Sequence, residues 1–166
     1  MRDSAAMARR LQRIAVEKSR LGIPLIFCQD VIHGFQTIFP IPLGWSCSFD
    51  PDLVRRATEI SAREATRAGV MLAFAPMLDI ARDPRWGRGH ETYGEDPYLT
   101  ARLGVHFVKG LQGDDEKYLK AAACAKHFAV HSGPESLRHE FDAEVSKQDL
   151  FDTYLPAFEA LVKEAK

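Results

Sequence analysis

The sequence is short of cysteine, of surplus charge and of long apolar runs, and each shortage closes off a class of protein. Its three cysteines, Cys28, Cys47 and Cys124, are too few and too irregularly spaced for a disulfide framework or a zinc ribbon. They sit among apolar residues and are expected to be buried free thiols. Lys and Arg total 22 against 23 Asp and Glu, a formal net charge of −1. That balance argues against a generally basic nucleic-acid binder and against a polyacidic tail. The longest stretch without Asp, Glu, Lys or Arg, Val31–Phe49, holds His33, Gln36, two glycines, two prolines and two serines. Such a mix does not make a bilayer-spanning helix, and no membrane partner is expected. The first residues carry Arg2, Arg9, Arg10, Arg13, Lys18 and Arg20 with no apolar segment between them. No signal peptide is therefore expected, and the location is cytoplasmic by default. A periplasmic or secreted location stays open if Met1 is not the natural start. No phosphate loop, nucleophile elbow or dinucleotide fingerprint is present, and no cofactor is expected. The Gly-x-Gly of "WGRGHE" is too short to count.

What is present is a chain of 166 residues, 46% of them hydrophobic, enough for one domain with a real core. Helical and strand patterns alternate along it. Asp3 or Ser4 can cap a first helix with Met7, Leu11, Ile14 and Leu21 at helical spacing, ended by Gly22 and Pro24. "IPLIFCQD" follows, an apolar run without alternation, as in a strand covered on both faces. Asp50 and Pro51 open a second helix that stops at Gly69. "VMLAFAPMLDIA" is the second strand candidate. Asp96 and Pro97 repeat the capping arrangement for a helix reaching about Gly110, and "AAACAKHFAV" is the third strand candidate. Ser146 and Asp149 form a capping pattern for a last helix, which Pro156 should kink or restart. This αβαβαβα order predicts a parallel sheet, in a (β/α) barrel or a doubly wound arrangement.

Two connections, Val31–Phe49 and Asp79–Glu95, are too long to be bare links, and loops of that length are usually functional. Both follow the C-terminal end of a predicted strand, where ligands bind in barrels and open α/β sheets. The strand candidates also end in polar groups. The first closes on Asp30, with His33 beyond it; the second leads into "DIARDPRWGRGHETYGEDP"; the third closes on Lys126 and His127. A carboxylate, a guanidinium, an ammonium and an imidazole at one rim make a set suited to a polyol, because Asp accepts from hydroxyls while Arg and Lys donate to them. Trp45 or Trp86 could supply an apolar platform for a sugar ring.

Plainer readings stand beside these. Asp30 could cap a turn. Arg82, Asp83, Arg85, Arg88, Glu91, Glu95 and Asp96 could form a solvated ion-pair loop of little energetic weight. Lys126 is harder to explain structurally, since a buried ammonium without a partner is costly. His127 and His131 have the spacing of helical zinc ligands, but the residues between them lack the glutamate of a metalloprotease helix, so a metal is not expected.

The segments "QDVIHG", "TIFPIPLG", "FAPMLDIARDPRWGRGHETYGEDPYL" and "AAACAKHFAVHSGPE" resemble the N-terminal barrel domain of glycoside hydrolase family 3, the β-glucosidase and β-xylosidase group. The resemblance runs from about Leu11 to Leu161, with the motifs in the family's order. It implies a single domain over residues 1–166, a partial (β/α)8 TIM barrel of the α/β class, because a full barrel takes about 250 residues. The activity implied is hydrolysis of O-glycosyl bonds by a retaining, exo-acting enzyme that releases terminal β-D-glucose. The partner implied is a β-glucoside or oligosaccharide. Position by position, Asp30 matches the carboxylate gripping the terminal sugar's hydroxyls, Arg88 the arginine of that subsite, and Lys126 and His127 its Lys-His pair. Arg85 matches a structural neighbour. Retaining hydrolysis needs two carboxyl groups about 5 Å apart. The family draws its nucleophile from a later barrel strand and its acid/base usually from a following domain, so neither is expected in this chain, which matches the family domain truncated at both ends.

Successive strand residues point to opposite faces, yet the resemblance asks Lys126 and His127 to reach one sugar. Irregular backbone is therefore predicted there, either a bulge or a non-proline cis peptide. Within the family, "HFAVHSGPESLRHEF" departs from the N-acetylhexosaminidase pattern. "QTIFP" leans towards β-glucosidase, with β-xylosidase the alternative. A non-catalytic sugar-binding fragment would keep the same four residues. A doubly wound sheet binding a phosphorylated sugar is weaker, for want of a glycine-rich helix N-terminus.

Overall fold

The computed structural model describes residues 4–165. The elements in chain order are α1 (Ser4–Lys18), β1 (Cys28–Gln29), α2 (Pro42–Ser46), α3 (Pro51–Arg67), β2 (Leu72–Ala73), α4 (Pro97–Gln112), β3 (Ala122–Ala123), α5 (Lys147–Asp149) and α6 (Pro156–Glu164). A three-stranded parallel sheet of order β1-β2-β3 pairs Cys28 with Leu72, Gln29 with Ala73, Leu72 with Ala122 and Ala73 with Ala123. A helix follows each strand, as in a (β/α) barrel, and three parallel strands make this part of one.

The strands are shorter than the apolar runs that produce them, and Pro76 is one cause. It has no N–H to give the ladder, and its peptide bond with Ala75 is cis. Beyond it the pairing continues as single hydrogen bonds, from the Cys124 N–H to the Ala75 carbonyl and from the Lys126 N–H to the Pro76 carbonyl. The Leu78 N–H then donates to the Lys126 carbonyl at 2.7 Å. This irregular extension brings the third strand's polar end level with the second's.

The core lies between the sheet and its helices. Val54, Ala57, Ala62 and Ala65 of α3 meet Leu103, Val105, Phe107, Val108 and Leu111 of α4, with Phe158 and Leu161 of α6 alongside. Glycines let the backbones approach. A Cβ at Gly110 would stand 2.5 Å from the Arg55 carbonyl oxygen of α3, and one at Gly104 would stand 2.8 Å from Leu78. Both long helices start as expected: the Asp50 side chain accepts from the Leu53 N–H and that of Asp96 from the Leu99 N–H. Ser146 likewise caps α5 through the Asp149 N–H, and α6 restarts at Pro156 after an irregular turn over Leu150–Tyr154.

Several expectations are corrected. "IPLIFCQD" is not covered on both faces: Cys28 and Gln29 are exposed and Ile26 is 68% exposed, because no described element packs on that side of β1. For the same reason the cysteines are not all buried. Cys28 and Cys47 are exposed and Cys124 is half-buried. α1 buries none of its residues, so its apolar stripe faces outward; of its two predicted caps, Asp3 lies outside the described residues. The two long connections are not bare links, as expected: Val31–Phe49 contains α2, and a short 3-10 turn, Gly89–Glu91, interrupts the other. Trp45 is no sugar platform: it is buried against Phe39 and Phe107. No helix among the described residues is long and apolar enough to cross a membrane.

Candidate functional site

The polar rim forms where the three strands end. Asp30 follows β1 directly, and the chain then turns at Val31, whose φ of 52° is uncommon for a β-branched residue. Burial of the Val31 side chain in the core holds that turn, while the Asp30 side chain stays two-thirds exposed. The loop beyond is pinned from α3. Glu64 accepts from the backbone N–H groups of Gln36 and Thr37 and from the Thr37 hydroxyl at 2.7–2.9 Å. These bonds hold the Glu64 carboxyl below its ordinary pKa, the Thr37 hydroxyl contributing most.

All four sequence-predicted residues come together. The Lys126 ammonium donates to the Asp30 carboxylate at 2.7 Å, which supplies the partner its burial requires. Arg88 Nη1 lies 3.3 Å from His127 Nε2. The peptide bond between Lys126 and His127 is cis, the second of the two irregularities predicted there. Asp30 and Arg88 share a cavity of about 550 Å³, lined also by His33, His90, Glu91 and Arg138. An anionic acceptor and cationic donors around such a space match the alternating needs of a ring of hydroxyl groups.

Residues outside the predicted set hold these in place. Glu91 takes the Arg88 guanidinium in a two-bonded fork, 2.8 Å from Nε and 2.7 Å from Nη2, with both side chains mostly buried. The fork raises the Arg88 pKa, and together with the nearby Lys126 charge it lowers that of Glu91. Glu91 and Arg88 are therefore not part of the solvated ion-pair loop expected from the charge of this segment. Arg85 pairs with Asp83 and Arg82 with Asp149 at the surface, while Asp96 is the cap of α4. Asp79, at the end of the second apolar run, is the other residue that sequence reasoning missed. Its buried Oδ2 accepts from both the backbone N–H and the Nδ1 of His127, at 3.0 and 2.8 Å. The one sequence signal for it is a carboxylate near the end of an otherwise apolar run, six residues beyond β2.

The His131 ring packs 4.6 Å from that of His127, with Trp86 edge-on to it. Burial pushes the His131 pKa below its ordinary value. Trp86 is itself largely buried, so it supports His131 more than it offers a platform. Among the described residues no group of three or more His, Cys, Asp or Glu side chains is placed to hold a metal ion.

A three-stranded parallel sheet, each strand followed by helix, with charged residues gathered at the strand ends, places the chain in the barrel class of α/β domains. The chain belongs to glycosyl hydrolase family 3: the model of that family's N-terminal domain matches residues 2–166. It is 45% identical to a xylan 1,4-beta-xylosidase of Xylanibacter ruminicola over 89% of this chain and 20% of the relative. It is 42% identical to a periplasmic beta-glucosidase of Salmonella typhimurium over 92% of this chain and 20% of that protein. A solved beta-glucosidase of Listeria innocua superposes with a TM-score of 0.87 at 46% identity, covering 98% of this chain and 23% of that one. A mutant of the Listeria enzyme, matching equally well, was solved in complex with laminaribiose. The chain thus spans about a fifth of the length of the curated relatives it matches.

Proposed function

We propose that the protein supplies the hydroxyl-binding part of the terminal-sugar site of a retaining, exo-acting β-glucosidase. The single observation behind this reading is that Asp30 and Arg88 line one cavity while Lys126 and His127 are bonded to them. Asp30 accepts from sugar hydroxyls, Arg88 and Lys126 donate to them, and His127 stands beside Arg88. The nucleophile and the acid/base come from segments outside these 166 residues, so this chain binds sugar without cleaving it. The ligand is a β-glucoside or oligosaccharide.

Calorimetric titration with methyl β-D-glucoside tests the binding. Asp30→Ala and Arg88→Ala should each weaken it at least about tenfold, the loss of roughly one charge-assisted hydrogen bond. Equal affinity in wild type and both variants would remove the basis for the reading. Aryl β-glucoside turnover by the purified chain, free of host glycosidases, would refute the assignment of the nucleophile to another segment.

A second reading, a β-xyloside site, is favoured by the identity to the Xylanibacter xylosidase. Tighter binding of methyl β-D-xyloside than of the glucoside would establish it. The Salmonella relative's name favours a periplasmic setting over the cytoplasmic default, and cell fractionation distinguishes the two.

A further inference from the structure

We propose that Asp79 is a positioning residue that sets the tautomer of His127, so that a ligand meets an imidazole whose Nε2 is a hydrogen-bond acceptor. The Asp79 side chain is wholly buried, and its Oδ2 receives two hydrogen bonds from one residue, the backbone N–H and Nδ1 of His127. A carboxylate accepts only, so Nδ1 carries the proton. At the other edge of the ring, Arg88 Nη1 faces Nε2 at 3.3 Å. A guanidinium donates only, so Nε2 presents its lone pair. Two neighbours with fixed roles thus select one form of the ring, the reverse of the Nε2–H tautomer that an unconstrained neutral histidine prefers.

The paired bonds also lock the ring's direction. The backbone donor fixes Asp79 relative to the residue whose side chain it orients, and the His131 ring closes one face. Asp79 Oδ1 has no hydrogen-bond partner among the described residues. Both hydrogen bonds that the buried Asp79 side chain makes among the described residues thus go to His127. In the proposed sugar site, on which this part rests, a ligand hydroxyl takes the single Nε2 lone pair in place of the Arg88 N–H, while Glu91 keeps the guanidinium in position.

Ring-nitrogen NMR of the intact chain, in buffer alkaline enough to keep imidazoles neutral, reads the tautomer directly. The His127 signals are assigned by their loss in His127→Gln. A protonated Nδ1 with a bare Nε2 is expected, and the opposite pattern overturns the proposal whether or not any sugar binds. Asp79→Leu leaves only Arg88 to hold the Nδ1–H form, so His127 should populate the Nε2–H form as well, and methyl β-D-glucoside binding should weaken at least about tenfold. Asp79→Asn, which keeps an acceptor oxygen, should restore most of both. Weaker binding with the tautomer unchanged in Asp79→Leu would mean a merely structural role and would also overturn it. If Asp79→Leu does not fold, the wild-type spectrum decides alone. An Nδ1–H ring in a protein that binds no glucoside would sink the sugar reading and leave the Asp79 assignment standing.

Discussion

At the scale of single residues, the rim depends on pairs that keep charged groups oriented while partly removed from water. Arg88 is held by a fork in which both oxygens of Glu91 take part. Bidentate geometry of this kind fixes direction as well as charge. Glu91→Gln should therefore weaken glucoside binding several-fold with Arg88 still present, and Arg88→Lys should do the same because an ammonium cannot fill the fork. Titration calorimetry on the two variants checks both. His131 gives a pH prediction of definite sign. Burial lowers its folded-state pKa, so between that value and the unfolded one, about 6.5, the unfolded chain binds more protons. Its contribution to stability is full above about pH 6.5 and is lost as the pH falls towards the folded pKa. The melting temperature should drop over that interval, and His131→Phe should flatten the drop. Paired carboxylates such as Glu91, lowered by Arg88, lose their share only further down, in the carboxylate range.

At the scale of elements, α3 and α4 are the parts that local sequence specifies most completely. Each has an aspartate cap, a proline in its first turn and a buried stripe. Asp50→Ala and Asp96→Ala should each cost about 1 kcal/mol, read from chemical denaturation midpoints. The helix pair also needs Gly110, where any Cβ would press on the Arg55 carbonyl and the Thr58 side chain. Gly110→Ala should destabilise by about 1–3 kcal/mol, the usual range for overpacking, in spite of alanine's better helix propensity. The strands show the limits of pattern reading. Their apolar runs predict strands, but regular pairing covers only two residues in each, and Pro76 has no N–H to extend the ladder.

At the scale of the molecule, one side is packed and the other is open. Met7, Leu11 and Ile14 of α1, with Leu21, Ile23 and Ile26 after it, are each more than 40% exposed. β1 and β3 are the outer strands of the sheet. Contiguous apolar surface beside open strand edges favours association. The protein should bind a hydrophobic dye and self-associate with rising concentration, and Leu11→Glu with Ile14→Lys should reduce both. Sedimentation velocity over a concentration series measures the effect.

Helix starts, the parallel α/β class and three of the four rim residues were legible because they depend on local rules: caps, glycine stops, and polar residues at the ends of apolar runs. Asp30, Lys126 and His127 stand at the ends of apolar runs, whereas Arg88 is singled out from its charged loop only by the family resemblance; the four come together in space. Exposure was not legible, because Cys28 and Leu11 occupy apolar contexts whether or not a neighbour covers them. Nor were Asp79 and Glu91 assigned, since a carboxylate at a strand end or in a charged loop takes its role from the side chain it faces. Local chemistry sets what each segment tends to form. Only long-range packing decides which surfaces are covered and which donor each acceptor meets.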